Sequence, residues 1–462
     1  MFVTKVPQVP AMPGDGLQGA QRFQASLAIF IAVGMASLDT AITNTALPTI
    51  AADIGADAAS SIWIVTTYQM AMVAALLPLA ALGDIVGHRR VYLAGLALFT
   101  VTSLACGLAW SLPSLVVARA LQGLGAAAIM SVNSALIRHI YPTRMLGRGL
   151  GTNALVVALG FTVGPTVASG ILWVTSWHWL FLINVPAGLA GLFFSARALP
   201  VTPRAAHRFE LMAALLSAAF FTLLVLGIGQ ASHLGPWSLV GLEIGGAVAC
   251  VAVLLRWQAG HPAPMLAVDL FRRPVFALSA VTSACSFTTQ GLAFVALPFL
   301  LQTQLGHSQV ATGFLMTPWP AVVAVMAPIA GRLSDRYAPG LLGGIGLLML
   351  CGGMATLALL PAAPSTFDIV WRMVLCGAGF GFFQSPNLKA LMTSAPPQRS
   401  GGASGIVAAA RLLGQATGAA LVALCFHLAR DGGPELALWL GAGFALFASL
   451  ASFLRLLSAP HP

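Results

Sequence analysis

Residues 25–48 read ASLAIFIAVGMASLDTAITNTALP. This apolar stretch carries a single acid, Asp39, and a helix of its length crosses the roughly 30 Å hydrocarbon core of a bilayer. A lone carboxylate in hydrocarbon is costly, so Asp39 must face the interior of a helix bundle and there pair, hydrate or hold a proton.

The rest of the chain is of the same kind. Of its 462 residues 58% are hydrophobic and 7% charged, with a mean hydropathy of +0.90. A soluble domain carries roughly 25% charged residues, so a water-facing globule is excluded. Apolar runs predict membrane-spanning helices at 25–47, 61–82, 91–110, 113–137, 150–173, 178–197, 211–229, 238–256, 274–301, 310–331, 340–361, 366–391, 403–427 and 435–457. The expected class is an all-α membrane protein of fourteen transmembrane helices. Residues 1–24 are mixed and proline-bearing, without the apolar core and cleavage site of a secretory signal.

Charge sets a direction. Counting fourteen spans from an inside N-terminus places 18 of the 22 Lys and Arg on one side. Cytoplasmic loops hold the basic residues, so both termini are expected in the cytoplasm. One helix more or fewer would reverse every later loop. The net charge of +10 contains no basic run denser than a loose triplet, so no nucleic-acid partner is expected. Six cysteines lie in apolar segments without a CxxC pair, and nine histidines lack ligand spacing. Buried small hydrophobes, and no metal site, are the reading. Without a GxxxxGK[ST] motif, no cofactor is expected and an ion gradient supplies the driving force.

The chain also repeats. Ala46-Leu47-Pro48 recurs as Ala296-Leu297-Pro298, Pro78-Leu79-Ala80 as Pro328-Ile329-Ala330, Leu82-Gly83-Asp84 as Leu333-Ser334-Asp335, and Gly160-xxx-Gly164 as Gly414-xxx-Gly418. The offset drifts only from 250 to 254 residues. Spans 1–6 therefore match spans 9–14, and spans 7 and 8 form an inserted hairpin. This divides the chain into a tail (1–24), a six-helix bundle (25–200), a hairpin (201–262), a second six-helix bundle (263–457) and a short tail (458–462). Two such halves around an axis are the architecture of secondary transporters, with the binding cavity between them.

Several stretches carry a resemblance. Leu38 to Pro48, Leu82 to Arg90, Arg119 to Gly125, Gly160 to Pro165, Trp177 to Pro186, Gln384 to Asn387 and Arg411-xx-Gly414-xxx-Gly418 resemble the major facilitator superfamily, specifically its fourteen-helix drug:proton antiporter branch. The loop 2–3 motif departs from the family pattern at Ala80 and Ile85, and the helix-5 motif at Ala168 and Ser169. The resemblance implies proton-coupled efflux of lipophilic, often cationic compounds across a bacterial inner membrane, and not an enzyme. A dedicated exporter of one metabolite, amino acid, siderophore or antibiotic would share every motif.

Asp39 is the expected shared site for proton and substrate cation, and Arg119 the arginine that the resemblance associates with proton coupling. Asp84, Gly87, Arg89 and Arg90, with Asp335 and Arg336 in the second half, are expected to form a conformational gate on the cytoplasmic side. Gly160, Gly164 and Pro165 create a groove and kink that serve as gate or as scaffold. Arg372 occupies the equivalent place to Arg119, with Asp368 one turn away as a local ion-pair partner. Glu243 is expected at lipid or at an interface. The expected partners are small molecules, protons and lipid, with a monomeric chain; a periplasmic adaptor is left open.

Overall fold

A computed structural model describes residues 16–142, 145–202, 204, 209–232, 234–258, 268–396, 400–429 and 432–458. Lys5, Arg144, Arg208, Arg399 and Arg430, and most of both tails, lie outside the described residues.

Among the described residues, fourteen helices are long and apolar enough to cross a membrane. They are α1 (Gly19–Asp53), α2 (Ala58–Val86), α3 (His88–Gly107), α4 (Leu112–Ile140), α5 (Leu146–Val174) and α6 (His178–Ala198). The hairpin is α7 (Leu211–Ser232) and α8 (Trp237–Trp257). The second set is α9 (Pro274–Gln304), α10 (Gln309–Leu333), α11 (Pro339–Ala358), α12 (Thr366–Ser394), α13 (Ser400–Leu428) and α14 (Gly433–Ser458). The chain starts and stops them with ordinary cap chemistry. Asp57, Ser111, Ser308 and Ser365 each accept a hydrogen bond from an otherwise orphaned amide of the first turn.

Helix packing displays the repeat. A Cβ on Gly125 of α4 would lie 2.6 Å from the Phe99 nitrogen and 2.9 Å from the Gly95 oxygen of α3. On Gly379 of α12 it would lie 2.5 Å from the Leu350 nitrogen and 2.5 Å from the Gly346 oxygen of α11. Gly123 meets the Tyr68 carbonyl of α2, and Gly377 the Trp319 carbonyl of α10, each at 2.4 Å. Without a hydrophobic driving force between helices in lipid, such close approach is what holds a bundle together. These contacts place α2 and α3 251 residues from α10 and α11, and α4 254 residues from α12.

The helix-5 glycines belong to the same scaffold. A Cβ on Gly160 or Gly164 would meet Ser37 at 2.9 Å or Ala41 at 2.4 Å, both on α1. Gly414 and Gly418 of α13 dock in the same way on α9, 2.5 Å from the Ala284 oxygen and 2.4 Å from the Thr288 oxygen.

The side that bears the termini is here called the basic side, and the opposite one the far side. On the far side the halves are closed against each other. Ile42, Leu47 and Ile50 of α1 share one apolar cluster with Leu292, Val295 and Phe299 of α9 and Val422 of α13. Thr49 donates to Gln302 at 3.3 Å, the Thr166 and Thr317 hydroxyls meet at 2.8 Å, and Ser169 donates to the Gln309 carbonyl at 3.2 Å.

The hairpin covers one seam. Phe221 and Val225 of α7 pack into a core cluster that contains both Met72 of α2 and Leu412 of α13. α8 rests on α7, with Ile244 and Glu243 beside Gly227.

Arg455 corrects the charge count made from sequence. Its guanidinium is not in a cytoplasmic segment but buried, 3% exposed. It donates to Ser279 Oγ at 2.9 Å, to Asn387 Oδ1 at 2.7 Å and to Ser452. A residue a few positions from a helix end turns inward once neighbouring helices supply acceptors.

Candidate functional site

Asp39 and Arg119 come from helices α1 and α4, which hydropathy alone cannot place together. The structure sets Arg119 Nη1 2.6 Å from Asp39 Oδ2, with both side chains 1% exposed. The pair does not stand alone. Asn184 Nδ2 of α6 donates to Asp39 Oδ1 at 2.8 Å, and Gln122 Nε2 donates to the same oxygen at 3.1 Å. Gln122 Oε1 accepts from Arg119 at 2.6 Å, its Nε2 also reaches Ser103 Oγ at 2.8 Å, and Arg119 Nε donates to the Ile64 carbonyl at 3.3 Å. Buried charge in a low-dielectric interior survives only when the remaining donors and acceptors are met in this way.

Aromatic rings complete the enclosure. The Arg119 guanidinium carbon lies 4.0 Å from the Tyr68 ring centre and 5.6 Å from that of Phe181, within cation–π range. Residues 177–186 thus acquire separate tasks: Asn184 binds Asp39, Phe181 faces Arg119, and Trp177 Nε1 donates to Asp53 Oδ2 at 2.6 Å. Gln122, Asn184 and Ser103 were not singled out from sequence. Gln122 and Asn184 stand inside quoted motifs, but an uncharged amide in an apolar helix gives no sign of which way it points.

A small cavity of about 20 Å³ lies between the halves, next to this cluster. Ser37 and Thr40 of α1, Tyr68 and Gln69 of α2, and Arg411 and Gln415 of α13 line it, with Met72, Met130 and Phe161 as apolar walls. Asp39 is absent from that lining, although its neighbour Thr40 belongs to it. In this conformation Asp39 is screened from the cavity. Its oxygens face Arg119, Gln122 and Asn184 inside the first half, and Tyr68 stands between Arg119 and the cavity.

The expected gate residues pair within their own halves in this conformation. Asp84 Oδ1 lies 3.0 Å from His88 Nε2, one turn on. Gly87, at φ 106°, makes the turn between α2 and α3 in a backbone region that side chains disfavour. Arg89 donates to the Ala196 carbonyl, and Arg90 is exposed. Asp335 pairs with Lys389 of α12 at 2.5 Å, and Arg336 is exposed. Pro165 sits inside α5, and its carbonyl lies 2.2 Å from where a Cβ on Gly313 of the other half would stand.

Arg372 forms the local pair expected with Asp368, at 3.2 Å. It is not the counterpart of Arg119, however. The 254-residue offset of α4 and α12 aligns Arg119 with Met373, which is 1% exposed. One residue of helix turns a side chain by about 100°, which points Arg372 away from the place of Arg119 and toward Asp368 and Trp371.

The comparisons agree with this architecture. The sequence profile of the Major Facilitator Superfamily matches residues 29–419. The uncharacterized transporter YebQ of Escherichia coli (strain K12) is 49% identical, over 97% of this chain and 98% of its own length. The riboflavin transporter RibZ of Clostridioides difficile (strain 630) is 29% identical over 88% of each chain. The multidrug resistance protein Stp of Mycobacterium tuberculosis (strain H37Rv) is 32% identical, covering 88% of this chain and 74% of its own. With fourteen apolar helices in a repeated fold and a profile match over most of its length, this chain belongs to the major facilitator superfamily and is a multi-pass membrane transporter.

Proposed function

We propose that the chain is a proton-driven exporter of lipophilic compounds, resident in the bacterial inner membrane with both termini in the cytoplasm. It alternates between a form closed on the far side and one closed on the basic side, and uses no cofactor beyond the proton gradient. The observation that carries this reading is the Asp39–Arg119 pair. The second half builds the same helix contacts with no such pair: Thr289 stands 250 residues from Asp39, and Met354, Met373 and Cys376 occupy the places of Ser103, Arg119 and Gln122. The architecture therefore does not require a buried ion pair, and burying one is seldom a net gain in stability.

The chemistry follows from charge. A proton on Asp39 cancels the carboxylate and leaves the Arg119 guanidinium buried without its counter-ion. That state is costly, so protonation favours a rearrangement of α1, α4 and α6 that supplies water or a new acceptor. Tyr68 lies on Arg119 and also lines the cavity, so it passes the change to the substrate site. Proton and substrate then exclude one another through linked sites, and reciprocity makes substrate release the proton. Asp84 and Asp335 exchange their present partners for contacts across the halves when the basic side closes.

The multidrug resistance protein among the relatives supports a broad substrate range, whereas the riboflavin transporter supports the narrower alternative of one dedicated metabolite. Proton release from inverted membrane vesicles on adding exported compounds tests the coupling. The Asp39→Asn variant, inserted at normal levels, should release none. Unchanged release would remove Asp39 from the mechanism, and a compound panel in an efflux-deficient bacterium separates broad from dedicated export.

A further inference from the structure

The charges of the interior do not cancel inside the cavity. Asp39 and Arg119 neutralise each other one layer away, and Asp39 is already engaged by three donors. Arg411 remains. It projects from α13 into the cavity, partly buried, and makes no hydrogen bond or ion pair among the described residues. No carboxylate lines the same cavity. An arginine keeps its proton under all physiological conditions, presents a planar fork of donors, and cannot rest in a low-dielectric site without an anion or water.

Two further groups point to a ligand. The Tyr68 hydroxyl and Gln69 Oε1 are buried without a hydrogen-bond partner, and both residues line the cavity; Thr40 lies beside the tyrosine but outside bonding geometry. Gln415 is present but shares its amide with Gln290 at 3.0 Å. A free donor fork, a free hydroxyl and a free amide oxygen match an acidic head group, and Met72 and Phe161 offer apolar, polarizable walls to the body of the same molecule once this cavity of about 20 Å³ widens.

We propose that the substrate is an amphiphilic organic anion whose carboxylate or comparable acid group is received by Arg411. The inference deepens the exporter reading and rests on it, and it reverses the sign expected from the sequence, in which Asp39 faces a cation. A guanidinium–carboxylate fork makes two parallel charge-assisted bonds, which a cation or an amide of the same body forfeits. The acid should therefore bind about tenfold or more tightly than its amine analogue.

The test uses three probes with one aromatic body: 4-(1-pyrenyl)butyrate, its primary amide and the matching pyrenylbutylamine. Their binding to the purified full-length protein in detergent is measured by tryptophan quenching, with no gradient present. The butyrate should bind best, Arg411→Lys should keep part of the preference and Arg411→Gln should abolish it. Arg411→Gln should also melt at the wild-type temperature or above, since an unpaired charge is removed. Equal or tighter binding of the amine, a preference that survives Arg411→Gln, absence of butyrate binding, or a marked loss of melting temperature in Arg411→Gln would each overturn the proposal. Vesicle transport separates the two readings. Butyrate bound but not exported sinks the exporter and keeps the anion site, while pyrenylbutylamine exported in preference sinks the anion site and keeps the exporter.

Discussion

The two six-helix halves use one set of backbone contacts and two different interiors. Gly125 and Gly379, Gly123 and Gly377, and Gly164 and Gly418 each let a neighbouring helix approach to the same depth. Inside that shared frame the first half holds Asp39, Arg119, Gln122, Asn184 and Ser103 in one hydrogen-bonded cluster. The second half fills the corresponding space with Met354, Met373 and Cys376, and its Thr289 donates to the Gly441 carbonyl at 3.0 Å. Both interiors support the same fold. What separates them is a buried carboxylate, which among the described residues the first half alone holds, while the second half contributes Arg411 to the cavity.

The strongest way to break this comparison is to exchange the interiors. Arg119→Met alone leaves Asp39 buried without a counter-ion and should cost about 3–5 kcal/mol. Adding Asp39→Thr, the residue of the second half, should restore the melting temperature in detergent while proton-coupled transport stays absent. A double variant no more stable than Arg119→Met would mean that the pair is needed for folding. Next in size are Gly164→Leu and Gly418→Leu, whose added atoms meet neighbours already at 2.4 Å. Each should destabilise by about 1–3 kcal/mol or displace a helix, and to a similar degree if the halves share one scaffold. A large difference in melting between the two would sharpen which half moves as a rigid unit.

Asn184→Ala removes one of three donors to Asp39 and should cost about 1–3 kcal/mol, with slower transport at normal expression. Transport at the wild-type rate would show that Arg119 and Gln122 suffice to place the carboxylate. Arg372→Leu is the smallest case. Its pair with Asp368 sits at a helix start near water, so neither melting temperature nor transport should change measurably. A transport defect there would give the Arg372–Asp368 pair a role in the transport cycle.

Much of this was written in the chain itself. Fourteen spans follow from run length and loop charge, because a bilayer demands about 20 apolar residues per crossing whatever the fold. The repeat was visible because Pro48 and Pro298, Pro78 and Pro328, and the helix-5 and helix-13 glycines answer to backbone needs that few other residues meet. Asp39 and Arg119 stood out for the opposite reason: charge in hydrocarbon is expensive wherever it lies. Tertiary structure alone decided their partners. Which face of α1 meets α4 and α6 depends on helix rotation, and a register error of one residue, as between Arg372 and Met373, replaces a fully buried position by a half-buried one. The sequence therefore revealed that a carboxylate is buried, and only the packing revealed that Arg119 neutralises it and that the charge left facing the cavity is Arg411.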